Sequence, residues 1–506
     1  MKDGIENWGR LRALYYTSRV AATRHYPDVA HDTRTQRELR NNFTMPHSNR
    51  ATKEKSLFAM ALAWALVAVA VLNGASVFLK RTGVVEHDLY RRFWAVHCVS
   101  DAVNPARSLE RQCKTNTTPR EIEATPQWHV DADDHWDYVY RISGWELWLK
   151  AAKDVFVLIF VGVSFWFSVR ASGQFAGSLR QAWPITMLSG YCAFMFGVSL
   201  VVAGPAVAMA GARPISFLMV ALTAGWAAGR LDRFAVAIGI LLMAQFLMAP
   251  FELLWGVHLF REWPVLDLAG RAVGSFSKPN SLGVFAVCGL AFYYCFSQRR
   301  LLIPLVAVTC LVVLASGSAT GFICLTLAGL VAVFLRLPVN RRWPCVLVGA
   351  VVLGVVIFML PEITGRPDLV DSVWSEGGRV GGFRAALLDR ELLAVFFGEG
   401  LGSNSNFARN LAADGALNGF GRSAVLPADS TPTALVTQVG AVGLVLFYGT
   451  LAWAMLRDPG ARAFYVTVAI CSLTMSVIEL FPVNILLGLA LARSAGAGDP
   501  LNGKAR

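Results

Sequence analysis

Long apolar runs separated by short arginine-bearing breaks organise this chain. The runs fall at 57–79, 145–169, 183–202, 215–229, 234–255, 281–296, 301–316, 321–335, 343–360, 433–456, 463–480 and 483–491. The longer ones reach the roughly 20 residues that an α-helix needs to cross a hydrocarbon core of about 30 Å. In lipid every backbone N–H and C=O must be satisfied within the segment itself, so such runs form helices. The pattern predicts an all-α polytopic integral membrane protein with about twelve transmembrane helices.

The breaks give a direction to that threading. Alternating from an amino terminus on the cytoplasmic side, one set of breaks carries Arg170 and Arg180, Arg230 and Arg233, Arg299 and Arg300, Arg336 with Arg341 and Arg342, Arg457 and Arg462, and Arg493. Each is basic, as cytoplasmic breaks are. Both termini are then cytoplasmic, and two long polar segments, 80–143 and 362–432, fall outside. Residues 1–55 are arginine-rich without a sustained apolar period, which reads as a largely disordered basic head, with one short amphipathic stretch around 8–16. No cleavable signal peptide is expected ahead of the first run. The rest, 56–506, is the transmembrane domain.

Composition narrows the class. Over the 506 residues, 55% are hydrophobic and 16% charged, which excludes a soluble globular enzyme. The net charge of +12 lies in the short breaks, so it reports orientation in a membrane and not a nucleic-acid partner. Most cysteines sit inside apolar runs as small core residues, whereas Cys98 and Cys113 lie in 80–143, where a disulfide is open to them if that segment faces an oxidising compartment. His129 and His135 stand beside Asp131, Asp133 and Asp134 without a metal-ligand spacing, so a solvated loop is the better reading and no metal is expected.

The chemistry gathers in 362–432. Its basic residues are Arg366, Arg379, Arg384, Arg390, Arg409 and Arg422, with no lysine among them. Guanidinium groups present a planar fork that meets phosphate or carboxylate oxygens two at a time. Glycines around Arg379 allow close backbone approach. A shorter external break holds Arg261, Arg271 and Lys278, and Lys278-Pro279-Asn280 opens the next run, where exposed amides favour an anion. Glu252 and Glu479 stand near the external ends of spans, where ionisable groups are expensive. Gly317 with Gly321, and Gly440, read as sites of close helix packing.

In order along the chain, Arg271-Ala-Val-Gly-Ser-Phe-Ser-Lys-Pro-Asn280, Ser316-Gly-Ser-Ala-Thr-Gly321, Gly378-Arg379-Val-Gly-Gly-Phe383-Arg384 and Phe397-Gly-Glu-Gly-Leu-Gly402 resemble motifs of the O-antigen ligase and polymerase family of bacterial envelopes. The helix after Asp429, with Gln438-Val-Gly440-Ala-Val-Gly443, resembles the one that closes that family's large external loop. The likeness covers roughly 183–491. Three positions depart: Asp429-Ser430-Thr431 stands where ligases carry a histidine, Ala319 where an arginine is common, and Phe383 where a tryptophan is usual. The missing histidine moves the reading from ligase towards polymerase.

The resemblance implies a GT-C-like fold in a bacterial inner membrane. It also implies a metal-independent glycosyltransferase with no cofactor, using saccharides carried on undecaprenyl diphosphate at the periplasmic face. A polymerase of this kind passes glycan from one carrier to a lipid-linked repeat, commonly beside a chain-length regulator. Arg271 and Arg379 are then the expected clamp on the leaving diphosphate, with Arg384, Lys278 and Asn280 binding substrate. Asp429 is the expected base, with Glu376 and Glu399 in reserve and in contact with substrate; Asp429 equally suits a helix cap. The rivals are a ligase that moves glycan onto lipid A core or protein, and a lipid or saccharide transporter. The last calls for polar groups at mid-membrane and interrupted helices.

Overall fold

A computed structural model describes residues 45–82, 144–170, 182–255, 271–276, 278–298, 300–364, 379–403 and 430–496. The expectations for residues 1–44 of the head, for most of 80–143 (Cys98, Cys113, His129 and His135 included) and for Glu376 and Asp429 lie outside these. The chain divides into a unit of Met1–Ser56 and a unit of Leu57–Arg506.

Among the described residues there are fifteen α-helices and no strand: α1 (Met45–Thr82), α2 (Gly144–Arg170), α3 (Trp183–Val202), α4 (Pro205–Ala212), α5 (Ser216–Thr223, running into a 3-10 segment Ala224–Arg230), α6 (Leu231–Trp255), α7 (Pro279–Phe296), α8 (Leu302–Ser316), α9 (Ala319–Arg336), α10 (Val339–Thr364), α11 (Arg379–Leu388), α12 (Leu392–Phe397), α13 (Thr431–Arg457), α14 (Arg462–Thr474) and α15 (Val483–Gly496). Eight stretches are long and apolar enough to cross a membrane, one of them joining α5 to α6; α8 and α15 are shorter apolar helices. Local signals set the starts. Proline occupies the first turn of α3, α4, α7 and α13, where its missing N–H leaves no acceptor unmet. Ser318 and Ser430 cap α9 and α13 by accepting the amides of Gly321 (3.0 Å) and Thr433 (3.3 Å).

Three boundaries differ from expectation. The run at 215–229 is not one α-helix but α5 followed by a tighter turn, after a left-handed Gly204 (φ 84°) has already interrupted the chain. The run at 463–480 stops at Thr474, because Thr431 ties the next residues down: its N–H and hydroxyl donate to the Met475 carbonyl (3.3 and 3.0 Å), and its hydroxyl accepts the Val477 N–H (3.0 Å). The external segment expected at 362–432 begins later, since α10 runs to Thr364, whose hydroxyl returns to the Leu360 carbonyl (2.7 Å), and it contains α11 and α12.

Burial separates the centre from the rim. α7 and α15 are buried on nearly every side, as expected of helices apolar all round. α10 instead shows large apolar side chains outward, Phe358 being 81% exposed, the signature of a lipid-facing helix. Small residues let backbones meet: a Cβ on Gly321 would stand 3.2 Å from the Gly283 Cα, and one on Gly488 would stand 2.5 Å from the Phe217 carbonyl oxygen. Aromatic rings fill the interior, Phe292 packing on Phe296 (4.6 Å between centroids) and on Phe464 (5.3 Å).

Contacts sort the breaks into two ends of the bundle. At one end Phe167 meets Phe58 and Trp226, Arg336 lies over Tyr294, Arg493 over Phe296 with its guanidinium on Asp458 (3.0 Å), and Arg457 reaches the Ser494 carbonyl (3.1 Å). This is the arginine-rich end. The other end gathers Arg213 on Asp154 (2.7 Å), Phe156 on Phe481, Asn484 on Ser216, and the segments that follow α6, α8, α11 and α12.

Candidate functional site

At the arginine-poor end residues 271–276 are sewn onto the bundle by their own backbone. The buried Glu252 of α6 accepts from the Val273 (2.7 Å) and Gly274 (3.0 Å) amides. Two turns below, Gln245 accepts the Ser275 amide (2.8 Å) and donates to its hydroxyl (2.9 Å), and Ala272 N–H reaches the Ala315 carbonyl (2.8 Å). Four consecutive amides are thus satisfied where water is scarce. Gly274 (φ 54°) is required, since a Cβ there would fall on Gln245 Oε1. Glu252, an ionisable group near a span end in the sequence, serves here as an anchor that accepts two loop amides.

This lacing delivers Arg271, half-buried, to the break between α8 and α9. Its Nε donates to the Ser316 carbonyl (3.0 Å) and its Nη2 to Asn280 Oδ1 (3.4 Å), the latter also accepting the Ser318 hydroxyl (3.1 Å). The guanidinium lies along Gly317 (φ 53°), where a Cβ would stand 3.2 Å from Nε. Three segments therefore meet on one arginine: the 271–276 loop, the first turn of α7 and the serine-rich break.

Arg379 begins α11 and is half-buried. Arg384, on the same helix as Arg379, is exposed with no side-chain partner among the described residues. Lys278 precedes α7 in an extended backbone, exposed and making no cap bond. Glu376 and Asp429 lie outside the described residues, next to described Ser430 in the case of Asp429.

Glu399 belongs to a second arrangement. Its carboxylate lies 3.5 Å from Arg390, whose guanidinium also reaches the Thr437 carbonyl (3.3 Å). Burial pushes that guanidinium below its ordinary range, and the nearby carboxylate opposes the shift. The pair holds a glycine turn against α13, which breaks at Gly440 (φ 66°, ψ −176°). Glu399 and Gly400 amides donate to the Thr437 (3.1 Å) and Gln438 (3.0 Å) carbonyls, Gly402 N–H to Gln438 Oε1 (2.9 Å), and the Ser199 hydroxyl to the Leu401 carbonyl (2.7 Å). Gly398 (φ 81°) and Gly440 face each other so closely that a Cβ on Gly398 would meet the Gln438 carbonyl at 2.5 Å, and one on Gly440 would meet the Phe396 carbonyl.

Sequence reasoning gives Gln245 no role, names Arg390 only among the basic residues of its segment, and reads Gly440 as a packing site and part of the closing-helix motif but not as a break; a glycine inside an otherwise apolar helical run, opposite a glycine-rich loop, is the available signal. A cavity of about 770 Å³ opens at this same end, with Lys153, Asp154, Arg213, Glu479 and Asn484 at its polar part, and neither Arg271 nor Arg379 lines it. Chemically, the α8–α9 break offers a fixed, permanently charged donor fork beside an amide oxygen and a hydroxyl, a constellation suited to an anion and not to nucleophilic catalysis. Compared with protein-family models and with proteins of curated function, the chain matches none.

Proposed function

We propose that the protein is a polysaccharide polymerase of the bacterial inner membrane. The arginine-rich end faces the cytoplasm, both termini lie there, and the Arg271 end faces the periplasm. The chain then crosses twelve times, with α5 and its 3-10 turn, α8, α14 and α15 each counted as a crossing. In the reaction, an acceptor sugar hydroxyl on one lipid-linked repeat forms a bond to the anomeric carbon of a second glycan. The bond from that carbon to undecaprenyl diphosphate breaks, the carrier leaves with the electron pair, and the hydroxyl proton passes to a base. Arg271 and Arg379 receive the growing negative charge, Ser316 and Asn280 hold Arg271 in place, and Asp429 takes the proton, with Glu376 in reserve.

The observation that carries this reading is the Arg271 cradle. A guanidinium fixed by Ser316 and Asn280 is a charge already in place when the diphosphate departs, and preorganised charge is usually the largest catalytic term. Replacing Arg271 or Arg379 by lysine is expected to lower polymer formation about 10²-fold or more while protein level stays within twofold, read as the length distribution of lipid-linked glycan in cells. Normal chain lengths in both variants would remove these residues from the mechanism.

A ligase would leave long carrier-linked chains unattached when deleted, whereas loss of a polymerase leaves single repeats. The transporter reading is favoured by one observation, the interrupted α13 at Gly440, since broken helices line transport sites. The interruption here is filled by the Phe396–Gly398 backbone, and the purified protein separates the readings: release of undecaprenyl diphosphate from a lipid-linked repeat supports transfer, and movement of intact lipid across a vesicle supports transport.

A further inference from the structure

A different cleft, at the arginine-rich end, has no place in that reaction. It encloses about 660 Å³ between α1, α6 and the α7–α8 turn, with Met60 and Trp64 on one wall and Asp232, Arg233, Tyr293 and Arg300 around the other. The volume lies within the roughly 300–1,000 Å³ of ordinary ligand sites. Most arginines at this end are already committed. Arg230, Arg342, Arg457 and Arg462 donate to the carbonyls of Trp226, Leu337, Ser494 and Met455, and Arg493 pairs with Asp458. Arg300 is exposed with no side-chain partner among the described residues, and Arg233 touches only the adjacent Asp232, at 3.8 Å with both side chains about half exposed.

The cleft therefore carries two guanidinium groups against one loosely held carboxylate. Beside them the Tyr293 hydroxyl accepts the Leu301 amide (3.3 Å) and keeps its own proton to donate. Below this rim the walls are apolar, and Trp64, inside the apolar span of α1, is 49% exposed and offers an indole surface to hydrocarbon. A cationic rim above an apolar slot, between helices, matches a lipid whose phosphate is anionic and whose tail is not.

We propose that this cleft binds an anionic glycerophospholipid of the phosphatidylglycerol or cardiolipin class. Arg300 and Arg233 hold the phosphate, Tyr293 donates to it, and an acyl chain lies along Met60 and Trp64. The site is independent of the catalytic reading. The test is native mass spectrometry of the full chain released from detergent in equimolar phosphatidylglycerol and phosphatidylcholine. Phosphatidylglycerol is expected to be retained about tenfold more, and the double substitution Arg233→Gln/Arg300→Gln to abolish that preference. Arg341→Gln removes one charge from an exposed position outside the cleft and is expected to keep the preference, with unfolding temperatures confirming that all variants are folded. Equal retention of the two lipids overturns the site, as does an equal loss in Arg341→Gln, which would mean bulk charge alone. Displacement of phosphatidylglycerol by millimolar inorganic phosphate would make free phosphate the ligand and overturn the lipid.

Discussion

The two glycine breaks at the arginine-poor end solve one problem in opposite ways. At Gly317 the space left by the absent side chain is taken by the Arg271 stem and guanidinium. At Gly440 it is taken by peptide backbone, the Phe396 carbonyl and the Gly398 amide. The first break is filled by a charged side chain, so it retains a group with the donors that an anion would need. The second is backbone against backbone, so it is a latch that fixes the turn after α12 to α13. Departure from helical geometry thus has no single meaning in this protein; what occupies the gap decides it.

Substitutions sharpen the contrast. Gly440→Ala carries the largest expected effect on folding: its φ and ψ belong to a region open almost only to glycine, at a cost of about 1–3 kcal/mol, and the new Cβ would strike a carbonyl. Folded protein recovered from membranes should fall at least tenfold; recovery at the level of the parent would show that the latch tolerates a side chain. Glu252→Gln comes next. It puts an amide group where one carboxyl oxygen accepts two backbone amides, a loss of about 1–2 kcal/mol, and thermal unfolding in detergent reads it directly. Under the proposed polymerase reading, polymer yield should drop further than stability alone explains, because the loop carries Arg271; parallel losses would make Glu252 a general stabiliser only.

Gly317→Ala should cost about 1 kcal/mol, since the residue is left-handed but its neighbour is the Arg271 side chain and not backbone. It therefore shifts activity more than abundance, the reverse of Gly440→Ala, and the ratio of the two readouts is the measurement. Ser318→Ala is the mildest. It removes a cap worth about 1 kcal/mol and one of the donors to Asn280, and a few-fold fall in activity with near-normal abundance is expected.

Much of the frame was readable from the order of residues because its causes are local. Apolar run length marks a helix in lipid, and proline at 184, 205, 279 and 432 marks helix starts. The misread boundaries have distant causes. α14 ends where it does because Thr431, far back in the chain, claims the Met475 carbonyl, and no window around Thr474 contains that information. The candidate site divides likewise. Arg271, Asn280 and the Ser316–Ser318 break were visible as motifs, and the structure joins them. Gln245 was not visible, being a single polar residue in an apolar run whose partner is a loop amide thirty positions on. Glu399 was legible as an acid in a glycine turn, yet only the fold reveals Arg390 beside it.

The seam between Gly283 and Gly321 has a consequence for where the charge sits. With α7 and α9 touching main chain to main chain, neither can slide along the other without driving a peptide group into its neighbour. Asn280 lies one turn above this seam on α7 and Ser318 just ahead of α9, so their spacing is locked like two marks on a single ruler. The cation between them is held at a constant depth, and any opening that admits a bulky substrate has to come from the surrounding helices while this pair stays still.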